Sequence, residues 1–175
     1  MKKIFGETDG IRAKVGEFPL RPNVLKKLGE AIADELTAKK IIMARDTRES
    51  GIWIDEAITT GLSSRGVEIK DLGVLPTPAV QKILSSSDDC DGGIMITASH
   101  NPFYDNGIKI INQLGHKLEA EIENQIEAYI DGEIEELPLA VRDNIGKTVD
   151  YSVGRNRYIG MLISTATRSF KNYKV

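Results

Sequence analysis

A hydroxyl, an imidazole and an amide stand side by side in residues 99–102, Ser-His-Asn-Pro. They follow residues 93–98, an apolar run that is typical of a buried strand. Pro102 prevents the regular structure from continuing. In an α/β sheet, ligands bind beyond the carboxyl ends of the strands. A parallel strand over 93–98 therefore predicts that Ser99 stands at a fixed point on that edge of the sheet.

Ser99 is the candidate for covalent chemistry. A hydrolase nucleophile is disfavoured because the Gly-x-Ser-x-Gly elbow is absent. The adjacent His100 would also point away from Ser99 if the extended geometry continued. A phosphoserine suits the position better, since its charge of about −1.5 to −2 can be stabilised by lysine and arginine during phosphoryl transfer. The plain alternative is a turn after a strand.

Four cationic side chains could stabilise that charge. Residues 105–107 are interpreted as a turn because they contain Asn-Gly, and Lys109 would then return to the edge that Ser99 leaves. Arg12, Arg45 and Arg48 each lie in a predicted loop next to a strand and could converge there. Taken singly, each of these cations is most simply a solvated surface charge. The residues alone thus indicate a phosphate-handling α/β domain.

Strand and helix patterns alternate along the chain. Strands are predicted at 40–44, 67–72, 93–98 and 108–111. Helices are predicted from Pro22, over 54–62, up to Leu84, over 119–131 and over 151–164. Ser50 is an N-cap candidate and Gly66 a C-terminal cap, while 132–150 shows no clear pattern. Residues 171–175 look like the beginning of another strand, so we expect the chain to be the first domain of a longer protein.

Composition excludes several classes of protein. The 175 residues are enough for one domain, and the net charge of −3 gives no indication of a nucleic-acid or anionic-membrane partner. No apolar run approaches the ~20 residues of a membrane span. The single cysteine, Cys90, excludes an internal disulfide and suits the cytoplasm. With only two histidines, a zinc site is also disfavoured.

Four segments occur in one order along the chain: FGETDGIRAKVGEFPLRP near the start, ARDTRESG at 44–51, PTPAV at 76–80 and TASHNPFYDNGIK at 97–109. Together they resemble the α-D-phosphohexomutases over essentially the whole chain. The resemblance implies an α/β fold, a three-layer α/β/α domain with a mixed, mostly parallel sheet. It implies that residues 1–150 are the phosphoserine domain and that 151–175 are a connecting helix and the start of a second domain, in a four-domain enzyme.

The resemblance also implies roles for individual residues. Ser99 would carry the transferable phosphoryl group and, through it, bind Mg²⁺. His100 and Lys109 would flank that group and assist proton transfer and charge stabilisation, and Arg12 would be an active-site arginine. Contacts to the substrate or its phosphate are implied for Arg45, Arg48 and Asn101.

Within this family the form SHNPFYDNGIK favours the branch that acts on phosphorylated hexosamines. The implied reaction converts a 6-phosphate into a 1-phosphate through a bisphosphate. A mutase of mannose or glucose phosphates stays open, as does a non-catalytic domain that binds phosphate or a partner protein. Glu7 is an extra residue in the first motif and could shift the loop of Arg12. Since the metal, sugar and phosphate loops of the family lie beyond residue 175, we expect an inactive isolated chain and self-association, for example a dimer.

Overall fold

A mixed β-sheet with helices on both faces forms the architecture of the protein. The computed structural model describes residues 3–6, 10–86, 89–171 and 174. Its strands are β1 (Ile11–Lys14), β2 (Lys40–Arg45), β3 (Glu68–Val74), β4 (Gly92–Ile96), β5 (Asp105–Asn112) and β6 (Thr148–Asp150). Its helices are α1 (Pro22–Glu35), α2 (Gly51–Ser64), α3 (Thr77–Ser85), α4 (Ala120–Asp131) and α5 (Ser152–Thr165). The predicted α/β class and the predicted helices are confirmed, whereas β1 and β6 lie where no strand was predicted.

The strand order within the described residues is β1-β5-β4-β2-β3-β6. Strands β4, β2, β3 and β6 run parallel to one another. Strand β5 is antiparallel to both of its neighbours, β1 and β4. The prediction of a mixed, mostly parallel sheet is therefore confirmed. The carboxyl ends of β1, β2, β3 and β4 consequently meet at one edge, where ligands bind in sheets of this kind.

Apolar side chains on both faces of the sheet explain the three layers. Along β2, Ile41 and Met43 join one core, while Ile42 and Ala44 join the other, as the two-residue period of a strand requires. The first core is covered by α1, α2 and α4, and the second by α3 and α5. The predicted stripe of α1 supplies Leu25, Leu28 and Ile32 to the first core. Burial of both faces is what a sheet between two helical layers needs.

The prediction of a turn at Asn106-Gly107 is wrong, because both residues lie inside β5. The chain reverses earlier, at residues 102–105, where the Asp105 amide donates a hydrogen bond to the Pro102 carbonyl at 3.1 Å. Strand β5 therefore begins at the carboxyl edge of the sheet and runs back from it. Lys109 therefore does not return to the edge that Ser99 leaves through this turn, but lies within β5, opposite Met95 of β4.

Close packing explains why Asn-Gly stands in the middle of a sheet. A Cβ atom on Gly107 would lie 2.7 Å from the carbonyl oxygens of both Ile11 and Thr97, so a larger residue would push the neighbouring strands apart. Asn106 is fully buried, and its side-chain amide donates to Ser50 Oγ at 2.9 Å. Ser50 occupies the predicted N-cap position of α2, but its hydroxyl makes no capping hydrogen bond within the described part of the chain.

The remaining sequence predictions concern a helix cap, membrane spans and the two ends of the chain. Gly66 follows α2 with a φ of +83°, which confirms the predicted C-terminal cap. None of the helices in the described ranges is long and apolar enough to cross a membrane. Glu7 lies outside the described residues, and so do three of the five residues at 171–175 where a strand was expected to begin.

Candidate active site

A cleft of about 1210 Å³ opens at the carboxyl edge of the sheet. It is lined by the end of β1, the loop after β2, the start of α3 and the loop after β4. Ser99, Asn101 and Arg48 all line it, so the structure brings these three candidate residues together. Phe103 and Tyr104, from the same loop as Ser99, form an exposed aromatic pair at the cleft with ring centroids 5.6 Å apart.

Ser99 is exposed and adopts a φ of +56°, a left-handed conformation that L-residues rarely take. The bend ends the strand geometry, so Ser99 Oγ and His100 Nδ1 lie 3.5 Å apart. The expectation that His100 points away applied only to a continuing extended backbone, a condition that the structure does not meet. The contact is longer than the ~2.6–3.2 Å of an activated nucleophile and its base. It does not by itself favour a hydrolase.

Thr97 connects Ser99 to the loop that follows β2. Its buried hydroxyl accepts a hydrogen bond from the Ser99 amide at 3.0 Å and donates one to Asp46 Oδ2 at 2.7 Å. The Asp46 carboxylate also accepts from the Arg48 amide at 3.0 Å and from Arg48 Nε at 3.1 Å. The Asp46 amide donates to the Ile96 carbonyl at 3.0 Å. One carboxylate thus joins the loops of two neighbouring parallel strands.

Arg48 lies against the backbone of the loop after β4. Its two terminal nitrogens donate to four carbonyl oxygens, those of Ser99, Asn101, Pro102 and Asp105, at 3.1, 2.8, 2.7 and 3.0 Å. With Nε bound to Asp46, all five donors of the guanidinium have protein acceptors. A phosphate contact by Arg48 stays a prediction, but in this structure its donors point at the loop.

Arg12 approaches the same loop from the opposite side. It lies in β1, paired with Gly107, so the prediction that it sits in a loop is wrong. Its Nη1 donates to Asn101 Oδ1 at 3.2 Å, and Asn101 Nδ2 donates to Asp105 Oδ2 at 3.0 Å. Arg12 Nε is buried and has no hydrogen-bond partner among the described residues. Arg12 and Asn101 are thus brought together with the Ser99 loop.

Arg45 is a predicted site residue that packs at the beginning of α2. It ends β2, and its side chain packs at Gly51 in the first turn of α2. Burial, and then the Asp71 carboxylate, raise the pKa of Asp55 to about 6, while a hydrogen bond from Thr59 and the charge of Arg45 act to lower it. Arg45 is not among the described residues that line the cleft. The charge of Arg45 therefore acts on the Asp55 carboxyl of α2.

Lys109 is half-buried in β5, directly opposite Met95 of β4. Paired residues on neighbouring antiparallel strands point to the same face, and Met95 lines the cleft. Lys109 therefore lies on the cleft side of the sheet, although it is not among the described lining residues itself. The flanking roles of His100 and Lys109 stay predictions, since the structure pairs Lys109 with Met95 and places His100 Nδ1 beside Ser99 Oγ.

Thr97 and Lys14 are among the cleft residues that the sequence analysis did not predict as part of the site. Thr97 was not considered as a site residue, although a hydroxyl two positions before Ser99 at a strand end could have signalled it. Lys14 ends β1 at the cleft, where its ammonium lies 3.5 Å from Glu17. Because β1 was not predicted as a strand, nothing in the sequence pattern directed Lys14 to this edge.

Comparisons with known proteins are consistent with this geometry. The family model described as "Phosphoglucomutase/phosphomannomutase, alpha/beta/alpha domain I" matches residues 2–136. A phosphoglucosamine mutase of Lachnoclostridium phytofermentans is 49% identical over the whole chain, which covers 39% of that protein. One from Lachnospira eligens is 43% identical, again over the whole chain and 40% of that protein. The chain thus spans about two fifths of the length of these curated relatives.

Solved structures with the same fold carry related names. A phosphoglucomutase/phosphomannomutase family protein from Burkholderia thailandensis has a TM-score of 0.74 at 26% identity, over 95% of this chain and 37% of that one. A putative phosphomannomutase from Thermus thermophilus has a TM-score of 0.72 at 26% identity, over 93% of this chain and 36% of that one. Both matches are to part of a longer chain.

Proposed function

Because the chain belongs to the phosphoglucomutase/phosphomannomutase family, we propose that it is the first domain of a phosphoglucosamine mutase. The enzyme would interconvert glucosamine 6-phosphate and glucosamine 1-phosphate through a bisphosphate. The observation that carries the proposal is the exposed hydroxyl of Ser99, held in the cleft at the carboxyl end of β4. The choice of an amino sugar is supported by curated relatives of that name at 49% and 43% identity.

Ser99 would act as the phosphoryl carrier. The C1 hydroxyl of glucosamine 6-phosphate attacks the phosphorus on Ser99, the bond from phosphorus to Oγ breaks, and Oγ takes up a proton. The bisphosphate then turns over in the cleft. Ser99 Oγ gives up its proton and attacks the phosphorus of the 6-phosphate group, the bond from that phosphorus to O6 breaks, and O6 takes up a proton. This step releases glucosamine 1-phosphate and restores the phosphoserine. Such transfers depend more on the positioning of the reactants and on charge stabilisation than on covalent catalysis by the protein.

The neighbouring side chains fit the supporting roles. His100 Nδ1, 3.5 Å from Ser99 Oγ, is near enough to exchange the proton of that oxygen after a small adjustment. Lys109, on the cleft side of the sheet, would offset the charge of the transferring group. Arg12 reaches the loop through Asn101 and would add a second positive charge. Arg45, which packs at Gly51 and is not among the described lining residues, would act at longer range.

Mg²⁺ is part of the proposal because the family resemblance implies it. The described residues contain no group of three or more His, Cys, Asp and Glu side chains that could hold a metal. A phosphoryl group on the exposed Ser99 would supply an oxygen ligand, which is the kind that Mg²⁺ prefers. Sites of this kind usually add only one or two carboxylates from the protein. When bound, the ion would neutralise phosphate charge. We propose that its other ligands come from the remaining domains of the enzyme.

The domain boundary and the partners also stay proposals. Strand β6 pairs with β3 in the sheet, which supports extending the phosphoserine domain to residue 150, beyond the family match. Residues 151–175 would then begin the connection to the second domain. Exposed apolar side chains on α5 fit packing against that domain, and a dimer is the alternative occupant: Val153, Ile159, Leu162 and Ile163. A reducing compartment such as the cytoplasm suits the free thiol of Cys90.

A mutase of mannose or glucose phosphates is the second candidate. It is favoured by the solved structures, whose names refer to phosphomannomutase and phosphoglucomutase. The two candidates are distinguished by kcat/KM of the full-length protein for glucosamine, glucose and mannose 1-phosphates. We expect at least about tenfold preference for the amino sugar, as for a site that binds its amino group. Equal or greater turnover of glucose or mannose phosphates would support the second candidate instead.

A further inference from the structure

The loop that begins at Ser99 is held by the side chain of Arg48, which lies in the loop after β2. The carbonyls of four loop residues would need partners once the chain leaves β4, and the guanidinium of Arg48 supplies hydrogen bonds to all four of them. The side chain of Arg48 is only 12% exposed, and its charge is balanced by Asp46 at 3.1 Å. The guanidinium is therefore part of the structure of the loop.

Both backbone polar groups of Ser99 belong to this network. The Ser99 amide donates to Thr97 Oγ1, and the Ser99 carbonyl accepts from Arg48 Nη2. Thr97 and Arg48 in turn share the carboxylate of Asp46. A left-handed φ persists in a residue with a side chain only where the surroundings hold it. The network supplies that restraint on both sides of the Ser99 α-carbon.

We propose that Arg48 is a positioning residue, which fixes the backbone of residues 99–105 and so holds the Ser99 hydroxyl at one point in the cleft. The proposed role replaces the phosphate contact that was predicted for Arg48 from the sequence. The effect of the Ser99 position on catalysis rests on the proposed function. The restraint of the loop backbone rests only on the contacts of Arg48. Since phosphoryl transfer depends on alignment, a displacement of about 1 Å can cost about 100-fold in rate.

The chemistry of the side chain distinguishes this role from phosphate binding. A guanidinium is planar and carries five donors in fixed directions, and all five are used here. An ammonium has three donors and acts as a compact point charge. Lysine can therefore replace an arginine that attracts a phosphate, at least in part, but it cannot hold four carbonyls and a carboxylate together.

The test compares Arg48→Lys and Arg48→Met in the full-length protein, with Arg21→Met as a control at an exposed arginine outside the cleft lining. We expect kcat to fall about 30- to 100-fold in both Arg48 variants, with KM for the sugar phosphate within about threefold of wild type. Circular dichroism identifies any variant that has not folded. The lysine variant keeps the charge and is the milder change.

Hydrogen exchange of the peptide that covers residues 98–106 gives a readout that does not depend on activity. We expect exchange there to be at least about tenfold faster in both Arg48 variants, and unchanged in the control. Two results would overturn the inference. One is a KM that is raised in Arg48→Met and returns to the wild-type value in Arg48→Lys. The other is unchanged hydrogen exchange in the loop of both variants. Absence of mutase activity in the wild-type protein would instead contradict the proposed function, and the exchange measurement would still decide the role of Arg48.

Discussion

Asp55 of α2 is a carboxyl group whose surroundings disfavour its charged form. Burial, and then the nearby Asp71 carboxylate, raise its pKa from 3.8 to about 6, although a hydrogen bond from Thr59 and the charge of Arg45 act in the opposite direction. In the unfolded chain these surroundings are absent. A difference of about two pKa units corresponds to about 3 kcal/mol of destabilisation by the ionised group, at about 1.4 kcal/mol per unit.

We therefore expect Asp55→Asn to raise the free energy of unfolding by up to about 3 kcal/mol near pH 7.5. Asparagine keeps the Oδ1 acceptor that receives a hydrogen bond from Thr59 Oγ1 at 3.2 Å. A folded-state pKa raised above the unfolded value gives stability that is complete below about pH 4 and lost as the pH rises through about 6. The advantage of the variant should accordingly vanish near pH 4.

Urea unfolding followed by circular dichroism measures this difference in the present chain at several pH values between about 4 and 8. Glu56→Gln is the matched control, because Glu56 is an exposed carboxylate on the same helix. Its difference from wild type should stay small throughout. If Asp55→Asn were less stable than wild type near pH 7.5, or if its advantage did not change with pH, the reasoning about Asp55 would be refuted.

Three further substitutions test other contacts. Thr97→Val should lower the free energy of unfolding by about 1–3 kcal/mol, because the Ser99 amide and Asp46 each lose a partner. Thr97→Ser keeps the hydroxyl, and equal urea midpoints for the two variants would contradict this. Gly107→Ala should cost about 1–3 kcal/mol through its 2.7 Å contacts. Gly160→Ala, which meets no atom within 4 Å, is its control in thermal unfolding, and a similar midpoint for both would be inconsistent with the packing described. Lys109→Met should lower kcat of the full-length protein about 100-fold, and a wild-type rate would remove Lys109 from the site.

Long periodic patterns made much of the fold predictable. The stripes of α1 and α2 and the apolar strands β2 and β4 are strong enough to be seen in the sequence. Strand β1 has four residues and β6 has three, all of them exposed in β6, so neither shows an alternating pattern. Asn-Gly was interpreted as a turn because a turn depends only on the dipeptide and its immediate neighbours in the sequence. Its use in β5 depends on how closely two other segments approach Gly107, which the dipeptide does not reveal.

The position of Ser99 was predictable, whereas the restraint on it was not. A polar residue directly after a buried parallel strand must lie at the carboxyl edge of the sheet, and Ser99 does. The partners of Arg48 are mainly backbone carbonyls, which every sequence has, so no residue pattern indicates them. The left-handed φ of Ser99 also brought His100 nearer than an extended chain would.

The central claim is that Ser99 carries the phosphoryl group, and mapping that group tests it most directly. The full-length protein would be incubated with glucosamine 1,6-bisphosphate, and intact-mass measurement and peptide mapping would locate any added phosphate. We expect one phosphoryl group on Ser99, no stable phosphate in Ser99→Ala, and loss of most mutase activity in that variant. Stable phosphate on another residue together with an active Ser99→Ala enzyme would contradict the account.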